Sequence, residues 1–156
     1  MLPATTRRVP ANTASHVNRQ IQREAAARLT YYAQHPEDIE TRLRELDREW
    51  DIERTLETNA ALLALGGTLL GLITGKRGWF ALPLAVTGFL FQHAIQGWCP
   101  PLPVLRRLGY RTATEIENER YALRLLRGDV RESGDEAAVG DRDPDRLRAA
   151  LRALDG

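Results

Sequence analysis

Two long runs of the chain carry almost no polar pattern, and what surrounds them is strongly patterned. AALLALGGTLLGLIT (Ala60–Thr74) and GWFALPLAVTGFLFQHAIQG (Gly78–Gly97) contain no Asp, Glu, Lys or Arg, and only Gly75-Lys76-Arg77 separates them. A helix of a soluble domain this size normally keeps one polar face. These blocks are apolar nearly all round, which predicts a membrane-embedded helical hairpin over residues 58–97. A buried hairpin at the core of a soluble helical scaffold is the alternative.

The second block is the better span. Trp79 and Trp98 bracket it, and nineteen helical positions cover roughly 28 Å, close to the ~30 Å hydrocarbon core. Indole at both ends fits the interfacial belt. Pro83 falls in the first turns, where a missing N–H costs least. The first block alone reaches only about 22 Å as a helix. Gly67, Gly71 and Gly75 repeat every fourth position, and Ala81 and Ala85 continue toward Gly88. Such strips let helix backbones approach closely, within one hairpin or between two. Gln92, His93 and Gln96 are the polar residues inside the second block. They cluster toward one end, where His93 is expected to hydrogen-bond at the interface.

Outside the hairpin the pattern turns amphipathic. Residues 1–13, with Pro3 and Pro10, are expected to be disordered. From Thr13 or Ser15, Val17, Ile21, Ala25, Leu29 and Tyr32 recur at helical spacing. His35-Pro36 breaks that helix. A second is expected to run unbroken from Pro36 to Glu57, with Ile39, Leu43, Leu46 and Trp50 as its seam. Together residues 14–57 form cytoplasmic or interfacial amphipathic helices. Residues 98–128 open with Pro100, Pro101 and Pro103, expected to forbid a regular helix. Leu102, Val104, Leu105 and Leu108 follow as an interfacial turn, with Arg106 and Arg107 toward headgroups. Thr112–Glu115 fits a capping box for a helix using Ile116, Leu123 and Leu126. Residues 129–156 read as an acidic linker and a short helix carrying Leu147, Leu151 and Leu154. The fold class is therefore all-α.

Charge adds orientation. The net charge is +1, which gives no reason to expect a nucleic-acid partner. Residues 98–128 carry +3 and residues 129–156 carry −3. Arg42, Arg44, Arg48 and Arg54 precede the spans and Arg106, Arg107 and Arg111 follow them, against Lys76 and Arg77 in the connection. Basic flanks stay on the cytoplasmic side, so both termini are predicted there. The N-terminus has two arginines but no apolar core after them, unlike a signal peptide.

Candidate chemistry is sparse. The single cysteine, Cys99, excludes an internal disulfide. On a helix continued past Gln96 it would share a stripe with Gln92 and Gln96, and nearby His93 and arginines would favour its thiolate. A structural residue in a tight Cys-Pro-Pro turn is the other reading. His16, His35 and His93 lack metal-ligand spacing. No phosphate loop, serine elbow or paired intramembrane carboxylates are present. No cofactor, no metal and no enzymatic activity are expected.

The block HAIQGWCPPLPVLRRLGYRTATEIENERYALRLLRGD, with a glycine-rich span before it, resembles the YgaP-like inner-membrane domain family of small two-span bacterial domains. PEDIETRLRELDREWDIERTLETNAA resembles the amphipathic lead-in of its longer members. The likeness covers Pro36 to Asp129, and its most specific parts are Cys99-Pro100 and Leu108-Gly109. It implies location in the bacterial cytoplasmic membrane and self-association, but no reaction. Some members carry a rhodanese domain before the hairpin; this chain does not. Many have a second cysteine shortly after Leu-Gly, where this chain reads Tyr110-Arg111-Thr112. The expected partners are thus the lipid bilayer, a second copy and a cytoplasmic protein. A sulfur-transfer or redox accessory using Cys99 is the alternative function.

Overall fold

The computed structural model describes residues 6–129 and 143–154. Among them every regular element is helical. The helices are α1 (Arg8–Ala11), α2 (Ser15–Gln34), α3 (Ile39–Leu46), α4 (Ile52–Thr74), α5 (Ala81–Gln96), α6 (Leu102–Arg107), α7 (Ala113–Arg127) and α8 (Asp143–Ala153). Short 3-10 turns at Pro36–Asp38 and Arg77–Phe80 lead into α3 and α5. The chain divides into two units, each built from two separate stretches. The first takes Met1–Val17 and Trp50–Thr112, the second Asn18–Glu49 and Ala113–Gly156.

The first unit is built on the α4–α5 hairpin. α4 begins earlier than the apolar block does. Asp51 is extended and caps the helix, its carboxylate accepting from the Arg54 N–H at 2.7 Å. The expected continuous helix from Pro36 to Glu57 is therefore wrong: it breaks over residues 47–51. A carboxylate that satisfies an orphan N–H of the first turn favours a fresh start over a continued helix. Trp50 consequently leaves the Ile39–Leu43–Leu46 seam and stays exposed, with the Arg54 guanidinium over its ring at 4.3 Å. The gain is length. α4 has 23 residues, roughly 34 Å against a ~30 Å hydrocarbon core.

Gly75 ends α4 in the left-handed conformation, φ 66°, which only glycine adopts freely. A Cβ there would touch nothing, so Gly75 is a helix terminator and not a packing residue. Gly67 and Gly71 do pack, against the hairpin's own second arm. A Cβ on Gly67 would lie 2.7 Å from Pro83 Cδ, and one on Gly71 2.9 Å from the Phe80 ring. Ala81 and Ala85, expected in the same packing strip, lie on the exposed side of α5.

The N-terminal segment also departs from expectation. Residues 8–11 are helical, not disordered, and Val9 is buried in a small core with Ile52, Leu56, Cys99 and Leu102. The prolines after the hairpin do not prevent α6. Pro101 precedes it and Pro103 sits in its first turn, where backbone N–H groups lack intrahelical partners anyway.

The second unit is a bundle. Leu29, Ile39, Leu43, Leu46, Ile116, Ala122, Leu123, Leu126 and Ala150 form its core. Leu147, Leu151 and Leu154 of the C-terminal helix pack on it, so α8, marginal alone in water, is held by α7. The acidic linker expected before it lies largely outside the described residues.

Candidate functional site

Among the described residues, polar groups, the cysteine and the α5 histidine come together at the open end of the hairpin, in the first unit. It is built from the end of α5. Gly97, with φ 73°, turns the chain sharply. This leaves the last α5 carbonyls without intrahelical partners, and α1 supplies them. The Arg8 guanidinium donates to the Ala94 carbonyl at 3.1 Å, and the Asn12 side-chain amide donates to the Gln96 carbonyl at 2.9 Å. A cation at a helix C-terminus also meets the negative end of the helix dipole. Arg8 further pairs with Glu53 of α4 at 2.7 Å. The fit is tight: a Cβ on Gly97 would lie 2.6 Å from Arg8 Cβ and 2.9 Å from its backbone. The Ile52 N–H donates to the Arg111 carbonyl at 2.8 Å, tying the start of α4 to the stretch after α6.

His93 is the only buried residue of α5. Neither ring nitrogen has a hydrogen-bond partner, and the charged groups acting on it are Arg8, Glu53 and Glu57. The ring, expected to hydrogen-bond at an interface, is 5% exposed and turned into the fold. Gln92 and Gln96 stay near the surface, the Gln92 amide 3.5 Å from the Gln96 side-chain oxygen. Trp79 and Trp98 are both exposed, one before and one after α5.

Cys99 lies outside the stripe expected with Gln92 and Gln96, because the helix ends before it. It is 3% exposed. Burial pushes its thiol above the ordinary value, with a partial offset from the Leu102 backbone N–H. Of the two arginines expected at headgroups, only Arg107 is exposed. Arg106 points inward and donates to the Tyr110 carbonyl at 3.1 Å. Among the described residues no group of three or more His, Cys, Asp and Glu side chains is placed to hold a metal ion.

One constellation escaped sequence reasoning. In the second unit the Glu119 carboxylate is fully buried and accepts from Arg28 (2.8 Å at its closest) and from Arg42 (3.0 Å). Its position carried a signal, since Ile116, Glu119, Leu123 and Leu126 follow 3-4-3 spacing. A carboxylate on the apolar stripe of a helix must find cations inside. All three residues hold one another across α2, α3 and α7, which makes them a structural tie.

Compared with known proteins, the chain matches no family model, no curated protein and no solved structure.

Proposed function

We propose that the chain is a non-enzymatic membrane protein, anchored by the α4–α5 hairpin, whose helical bundle serves as an anchoring or scaffold platform. One observation carries the reading. The hairpin exposes large apolar side chains along both arms, from Leu62 through Leu72 and Ile73 to Leu84, Phe91 and Ile95, with Ile73 80% and Leu84 75% exposed. The core helix of a soluble protein hides such residues within its own fold. Here the chain leaves them outward along both arms, where a soluble monomer rarely shows a large apolar patch. A bilayer covers that surface without further protein.

The basic flanks support a topology with both termini cytoplasmic, and the likeness to the YgaP-like domains supports a bacterial inner membrane and self-association. The Ala81–Ala85 face of α5 is available to a second copy. A sulfur-carrier role would require Cys99 to reach a donor as a thiolate, and its burial and raised pKa weigh against that.

Membrane fractionation with alkaline carbonate extraction tests the proposal. The chain should stay in the pellet after carbonate and enter solution only with detergent. Recovery in the soluble fraction as a stable oligomer, with no detergent present, would overturn it.

A further inference from the structure

α6 and the residue after it leave aliphatic side chains outward while an arginine is turned inward. Arg106 is 1% exposed, while Val104 and Leu108, four residues apart on its other side, are 56% and 71% exposed. Leu102 and Arg106, also four apart, form the inward face. In water this arrangement leaves two aliphatic side chains wet. It makes sense where the outer surroundings are themselves partly apolar. Exposed Trp98 precedes α6 in the chain, and exposed Arg107 is its last residue.

The charge of the first unit points the same way. Its ranges hold eight basic and three acidic residues, a formal charge of +5. It is what a unit beside anionic headgroups would carry.

We infer that α6, with Trp98, is an in-plane membrane anchor: Val104 and Leu108 enter the headgroup–acyl boundary, and Arg107 meets anionic phospholipid. This rests on the hairpin reading and adds a lipid-binding surface at the hairpin's open end. Ile95 at the end of α5 and Trp98 just after it are also exposed. Tryptophan at that depth suits the boundary. The burial of Arg106 follows, because its bond to the Tyr110 carbonyl fixes α6 with its apolar edge outward.

The test uses the full chain in lipid nanodiscs of mixed phosphatidylglycerol and phosphatidylcholine, with Cys99→Ala so that one introduced thiol carries an environment-sensitive fluorophore. Labels at Leu108→Cys, at Leu72→Cys in the hairpin and at Glu24→Cys in the second unit are compared, with nitroxide-bearing lipids as quenchers. The expected result is a Leu108 label quenched by shallow nitroxide, severalfold more by labelled phosphatidylglycerol than by labelled phosphatidylcholine. Arg107→Gln should remove that preference, and the Glu24 label should stay unquenched. Quenching at Leu72 but not at Leu108 would overturn the α6 anchor and leave the hairpin standing, whereas no quenching at either would overturn both. A Leu108 label shielded from water yet unquenched would mean that protein covers this face, and equal quenching by both lipids would refute the anionic selectivity.

Discussion

Glu119 is a carboxylate without exposed surface, and two guanidiniums hold it there. Removing one partner of a buried ion pair costs about 3–5 kcal/mol, because the other charge stays buried and unpaired. Glu119→Ala should therefore lower the unfolding free energy by about that much, read from urea denaturation followed by far-UV circular dichroism. A loss within experimental error would show that the cluster is hydrated and weak. Cys99 supports an opposite kind of prediction. A buried thiol with a raised pKa holds less thiolate. Maleimide labelling at neutral pH should be at least tenfold slower in the folded chain than in denaturant, by the rule that thiolate and access set the rate. Equal rates would reinstate the cysteine as a reactive site. The thiol's burial was not legible beforehand, because, of its neighbours Val9, Ile52, Leu56 and Leu102, all but Leu102 come from two distant parts of the chain.

At the scale of elements, the glycine spacing in α4 was legible but its partner was not. Gly67 and Gly71 receive Pro83 and Phe80 of the same hairpin. Gly67→Ala should thus loosen the hairpin itself, by about 1–3 kcal/mol for an overpacked contact with a rigid ring. Detergent unfolding should report the loss while the oligomeric state by light scattering stays unchanged. Dissociation of an oligomer without loss of hairpin stability would place the strip between copies instead. The start of α4 offers a second test. Asp51→Ala removes the cap and should cost about 1 kcal/mol, while Asp51→Asn should retain most of it. The break at residues 47–51 was missed because Glu49, Asp51 and Glu53 read equally well as the polar face of a continuing helix.

For the whole molecule, the chain alternates between its two units, leaving the first within α2 and returning near Trp50. Truncation should therefore not separate them cleanly. Deleting residues 1–13 removes Arg8, Val9 and Asn12 from the base of the hairpin. It should expose Cys99 to maleimide, although the hairpin's apolar length is untouched and membrane retention should persist. Loss of membrane retention in that variant would mean that the segment also drives insertion.

The sequence by itself determined the elements that depend on local periodicity and composition. Both apolar arms, the two wings of amphipathic helix and the all-α class follow from spacing between neighbours in the chain. Arg8 at the carbonyls of α5, Glu119 between Arg28 and Arg42, the covered thiol and the outward edge of α6 were decided only by tertiary structure. The first three depend on contacts between residues tens of positions apart, and the last on which side of α6 the fold covers. Burial of a charge or a thiol is a property of those contacts, which no window along the chain contains.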